Sequence, residues 1–172
     1  MLPINQLLFT LEHHNIQYRL PAPTNRIALL ASKASILEVC GWVEQAIDVL
    51  VKDCAIRCSL TPLRLSSVDS YVKRTSGFHY TNHFERMLIA VIGFKCLEQV
   101  ENSMLLEIVK LKALFNDLSL LRNHYAHTHF DEHTPYPDGR TTVPNPSTMI
   151  ASALIANSGL SAFELELIRL DY

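Results

Sequence analysis

One apolar series limits this chain more than any other feature. Ile36, Cys40, Val43, Ile47, Leu50, Cys54 and Cys58 follow one another at steps of four and three, the spacing of a single face of one long helix. The helix has a natural start at Asn25, whose side chain suits an N-cap, and a stop at Thr61-Pro62. A strand of that length would alternate every second residue, so a chain built round this segment is helical.

The remaining segments read in the same period. Residues 3–19 carry Ile4, Leu7, Leu8 and Leu11 at helical spacing until Pro21-Ala22-Pro23 ends the run. Residues 60–80 mix Ser, Thr, Pro, Gly and basic residues and read as an irregular connector with room for a short helix. Arg64, Lys73 and Arg74 make it the nearest thing to a basic patch. A third helix fits from about Asn82 to Val100, with Phe84, Leu88, Val91 and Phe94 or Lys95 along one side. The fourth begins near Ser103 and places Met104, Ile108, Leu111, Phe115 and Leu118 on one stripe whose next member is Arg122. Residues 130–147 hold four prolines and a Pro-Asp-Gly turn and read as a long loop; a last helix follows from about Pro146 to Leu170, interrupted at Gly159.

No repeat and no strand alternation stand out, so the expected architecture is one all-α domain over residues 1–172, an up-and-down bundle of four or five helices. Hydrophobic residues form 48% and charged residues 19% of the chain, more apolar surface than a solitary domain of this size needs, which points to a second copy as partner. The net charge of −2 excludes a protein that binds nucleic acid mainly by broad phosphate neutralisation, leaving only a local cleft. Cys40, Cys54, Cys58 and Cys96 include no C-x-x-C pair and lie on apolar patterns, as buried thiols in a reducing compartment do. No signal-like leader opens the chain and charges interrupt its apolar stretches, so a cytoplasmic, membrane-free protein is expected.

Chemistry is expected at Arg122-Asn123-His124-Tyr125-Ala126-His127. A guanidinium that continues an apolar stripe cannot shed its charge. Arg122 therefore either pairs with a carboxylate of the long helix, Glu44 or Asp48, or faces a polar cleft. Six polar or ionisable residues follow within a dozen positions: Asn123, His124, Tyr125, His127, His129 and His133. Histidine is the side chain suited to moving protons near neutral pH. The competing use of such a cluster is a metal site made of His124 and His127 with His129, Asp131 or His133, but no H-E-x-x-H or Cys/His framework accompanies it. His13-His14, Trp42 and the Phe84-to-Phe94 stripe read as a polar helix end and core packing.

The segment Leu121-Arg122-Asn123-x-x-Ala126-His127 resembles the signature of HEPN domains, an Arg followed four to six residues later by His. Glu44, within Gly41-Trp42-Val43-Glu44 on the long early helix, looks like the acidic position often found in those bundles, and the likeness spans roughly residues 27–130. The closest look is to the stand-alone HEPN proteins of bacterial toxin–antitoxin and phage-defence loci.

That resemblance implies a metal-independent, cofactor-free endoribonuclease leaving 2′,3′-cyclic phosphate ends. His127 would transfer protons and Arg122 would stabilise the phosphate. Asn123, His124 and Tyr125 would orient or stack on substrate, with Glu44 in support. His129, seven residues beyond Arg122, is the rival for proton transfer and a further cleft residue. The resemblance also implies a two-fold dimer with both motifs in one cleft, and an antitoxin or other regulatory protein as partner. A non-catalytic module binding RNA, a nucleotide or a protein through the same cleft is the alternative. Arg122 and His127 lie five residues apart, about 140° apart round a continuous helix, so either the helix breaks near His127 or two subunits combine.

Overall fold

The computed structural model describes residues 2–20, 25–127 and 143–172. Among these, every regular element is helical: α1 (Asn5–Tyr18), α2 (Asn25–Arg57), α3 (Pro62–Arg74), α4 (Glu85–Ser103), α5 (Leu105–His127) and α6 (Pro146–Arg169), with a single π turn over Tyr80–Phe84 leading into α4. This is the expected all-α bundle with more helices than the four or five anticipated, because residues 60–80 are more regular than their composition implies. Pro62 sits at the first helical position of α3, where its missing N–H would have had no partner. Val68 and Val72 anchor one face of α3 to the core.

The long helix is as its spacing predicts. Ile36, Cys40, Val43, Ile47, Leu50 and Cys54 are all buried, and only Cys58, in the last turn region, is half-buried. The helix packs against α1, α5 and α6 and carries α3 on its flank, so it forms the spine of the bundle. Trp42 is buried and its Nε1–H donates to the Pro3 carbonyl at 3.3 Å, tying the N-terminal segment to α2. The stripe Met104, Ile108, Leu111, Phe115 and Leu118 of α5 is likewise buried in the core.

Gly159 does not interrupt α6. It is buried in an unbroken helix, and a Cβ there would stand 2.6 Å from Leu111 Cδ2, so its smallness lets α5 and α6 approach. The break falls at Gly93 instead, where the backbone leaves helical geometry (φ +78°, ψ 165°) inside α4. That break shifts the register of everything after it. Phe84 and Leu88 before it are buried as expected, whereas Phe94 is 75% exposed and Lys95 is also at the surface. Nothing lies within 4 Å of the place a Cβ would occupy at Gly93, so Gly93→Ala isolates the backbone penalty. It is expected to destabilise the protein by about 1–3 kcal/mol, read as a lower urea midpoint at constant slope. A gain of stability, the ordinary result for Gly→Ala inside a straight helix, would contradict the kink.

By length and composition α6 alone among the described helices could cross a membrane, contrary to the expectation that charges interrupt every apolar stretch. In this fold Met149, Ala153, Ala156, Leu160, Phe163 and Leu167 of α6 are buried against the other helices. Asn145 caps it, its side chain accepting from the Thr148 N–H at 2.8 Å.

The end of the bundle that carries the candidate site rests on aromatic rings. Phe115 is fully buried between Phe78, Tyr80 and Phe84, with ring centroids 6.2, 6.4 and 6.2 Å away, and Phe84 meets Phe163 of α6 at 5.3 Å. Tyr80 keeps its polar end satisfied: its hydroxyl donates to Glu101 Oε1 at 2.8 Å, while Lys112 bridges to the same carboxylate at 3.2 Å and lies 4.8 Å over the ring. The π turn is thus held between α4, α5 and α6.

Candidate functional site

Arg122 continues the buried stripe of α5 but reaches it where the core ends, so its side chain is half-buried rather than enclosed. Of the two carboxylates expected to neutralise it, neither forms an ion pair with it. Asp48 has its carboxyl pushed up to about 6 by burial, opposed by Lys52 and reinforced by Glu44. Glu44 spends an oxygen elsewhere: its Oε1 accepts a short 2.5 Å hydrogen bond from the backbone N–H of Gly77. The expected structural role of Glu44 therefore takes a different form, holding the loop before the π turn. Among the described residues the hydrogen bond of Arg122 is a long 3.5 Å contact to Asn123 Oδ1. A half-buried cation with so loose a partner among the described residues has further donors to offer.

Cys40 lies one turn before Glu44 on α2, its Sγ 3.6 Å from the Leu118 carbonyl. Burial pushes its thiol up to about 12, with the Arg122 charge pulling down and Glu44 pushing up, so it is a packed thiol and no nucleophile at neutral pH.

The rest of the motif is divided by the helix. α5 runs without a break to His127, which removes one of the two ways in which Arg122 and His127 were expected to meet. Asn123 is exposed and His124 half-buried. Tyr125 is buried, only 4% exposed, with its ring edge-on to His124 at 5.0 Å, so it packs in the core and offers no face to a base. His129 and the remaining candidate metal ligands Asp131 and His133 lie outside the described residues. Among the described residues no group of three potential metal ligands comes together.

The structure adds residues that the motif did not reveal. His79 and His83 flank the start of the π turn, 6.5 Å apart and edge to face. The His79 N–H donates to His83 Nδ1 at 3.1 Å, and His79 Nδ1 in turn accepts from the Asn82 N–H at 3.3 Å. The His83 ring lies on Gly77: a Cβ at that position would stand 2.9 Å from Cε1, and the backbone φ of +112° also favours glycine. Burial lowers the His83 pKa most, then His79; Glu44 opposes the shift, and the charges of Arg86 and Arg122 add to it. A folded state that prefers neutral His83 draws stability from it above the ordinary value near 6.5, and loses that contribution as pH falls through the lower folded value. Glu44 of α2, Arg86 of α4 and Arg122 of α5 thus act electrostatically on His83 of the π turn, whose ring lies on Gly77 of the preceding loop, and the five form one constellation. In the sequence, the only trace of it is two histidines four residues apart beside a glycine, on a segment without helical period.

On the opposite side of α5, Leu106, Val109, Ala113, Asn116, Leu120 and Asn123 follow at steps of three and four and are all exposed, as is Leu105. The apolar excess of the composition therefore sits in part on the motif-bearing helix, but on the face away from the stripe that Arg122 extends.

Comparison with known protein families, curated proteins and solved structures finds no match to this chain.

Proposed function

We propose that this protein is a metal-independent endoribonuclease of the HEPN kind, acting in the cytoplasm as a two-fold dimer, and that it serves as a toxin or anti-phage effector held in check by a protein partner. The observation that carries the reading is the position of Arg122: a half-buried guanidinium that forms no ion pair among the described residues, on the same unbroken helix that ends at His127.

In the reaction, the ribose 2′-oxygen attacks the adjacent phosphorus and the bond to the 5′-oxygen breaks. One proton leaves the 2′-hydroxyl and one is delivered to the departing 5′-oxygen, so no water and no redox partner enter, and the product ends in a 2′,3′-cyclic phosphate. Arg122 binds the non-bridging oxygens, on which charge accumulates in the transition state. His127 carries the protons. Since five residues of continuous helix turn these side chains about 140° apart, the pair is drawn from two subunits. The exposed apolar residues Leu106, Val109, Ala113 and Leu120 of α5 support a second copy as partner, on the face away from Arg122. Asn123 and His124 orient the substrate. Tyr125 serves the fold.

The test is cleavage of varied RNAs with a chelator present, the ends scored for cyclic phosphate. Cleavage by the unmodified protein and not by His127→Ala is the expected result. If no RNA is cut by either, the protein is a binding module of the same cleft. If the chelator abolishes cleavage, the chemistry belongs to a metal.

A further inference from the structure

We propose that His83 is a neutral hydrogen-bond donor to a phosphate oxygen, completing with Arg122 and Arg86 a subsite for one backbone phosphate within a single protomer. The geometry of the ring carries this. Its Nδ1 accepts from the His79 N–H, so the neutral imidazole has its proton on Nε2. Among the described residues Nε2 has no partner, and the ring is half-buried, seated on Gly77. Its orientation is fixed from both sides: Gly77 is held by Glu44 of α2, and the π turn that carries His83 is held by the Phe115 and Glu101 contacts. A π turn so positioned is a frequent device at functional sites, where it re-aims a side chain that a regular helix would point elsewhere.

The charged and titratable groups that act on His83 are His79 beside the turn, Glu44 from α2, Arg86 from α4 and Arg122 from α5. Burial first, then His79, biases the ring toward its neutral form, with Glu44 opposing and the two arginines adding to the shift; with Nδ1 accepting from the His79 N–H, Nε2–H is then a donor and no site remains to accept a proton from substrate. His83 is therefore a binding group and not the proton carrier, which distinguishes its part from that of His127. A neutral donor adds directional recognition of an anion without adding another buried positive charge beside Arg122.

The inference rests on reading Arg122 as a phosphate-binding residue, as in the proposed function, and its test needs no catalysis. Protein labelled with nitrogen-15 at histidine is titrated with inorganic phosphate at pH 7, with the imidazole nitrogens followed by NMR. The expected result is an Nε2–H tautomer for His83 whose nitrogen and proton shift saturably with phosphate. That response vanishes in Arg122→Ala and persists in His127→Ala. His83→Ala weakens phosphate binding roughly tenfold, while His83→Gln, whose amide can donate from the place of Nε2, retains most of it. An Nδ1–H tautomer, a His83 signal indifferent to phosphate in the folded protein, or unchanged binding by His83→Ala would each overturn the proposal. Phosphate binding at His83 without RNA cleavage would leave the subsite standing and remove only the nuclease reading. Cleavage with a silent His83 would do the reverse.

Discussion

Phe115→Ala is expected to lower folding stability by about 3–5 kcal/mol, because it removes a fully buried ring and leaves a cavity among Phe78, Tyr80 and Phe84. For a chain of this size that corresponds to a fall in Tm on the order of 10 °C. The loss is large for a reason beyond apolar area. Phe115 is where α5, the segment before the π turn and the turn itself meet, and the neighbouring rings stand edge-on or tilted to it at separations where aromatic pairs attract. Few of these neighbours can close the gap: Tyr80 is tethered through its hydroxyl to Glu101, and Phe84 is engaged with Phe163. A thermal and urea denaturation series checks the prediction. A loss below about 1 kcal/mol would mean that the turn is not supported by this ring and that the seat of His83 is softer than its contacts imply.

The second large effect concerns activity. On the proposed nuclease reading, Arg122→Ala and His127→Ala are each expected to reduce RNA cleavage by about 100- to 1,000-fold with the fold and the proposed dimer retained, since one would remove the charge that meets the phosphate and the other the proton carrier. The more informative measurement mixes the two inactive variants. If Arg122 of one subunit works with His127 of the other, a mixed dimer contains one intact pair, and random exchange restores about a quarter of the original activity. If both residues act within one subunit, mixing restores nothing. Full activity from a protein that remains monomeric would also sink the two-subunit site. The unbroken course of α5 to His127 makes restoration the expected outcome on that reading, because it sets the two positions about 140° apart round one helix.

Residues 36–54 show why so much of the fold was legible. Their four-and-three spacing needs only the 3.6-residue turn and the preference of apolar side chains for the interior, both local properties, and the six positions named are buried as read. The α5 stripe was legible for the same reason, and so was the start of α6 at about Pro146, although the Asn145 cap that precedes it was not read from the sequence. Glycine was not legible in this way. Gly93 and Gly159 look alike within an apolar run, yet one breaks its helix and the other lies in a straight one. The difference is that Gly159 faces Leu111 of another helix at a distance no Cβ tolerates. That is a fact about packing between segments far apart in the chain, and local pattern does not contain it.

The same division runs through the site. The identity of Arg122, its position at the end of an apolar stripe and its separation from His127 are properties of one helix, and the sequence determined them together with the all-helical class. Which groups gather round Arg122 was settled by tertiary structure alone. Glu44 turns to the Gly77 amide instead of pairing with Arg122, Tyr125 is drawn into the core, and His83 is brought up from a segment some forty residues earlier. Each outcome depends on how helices are set against one another, through hydrogen bonds and ring contacts whose partners have no fixed spacing along the chain. A helical period records which side of a segment faces inward; the neighbour that side will meet is decided only when the helices pack.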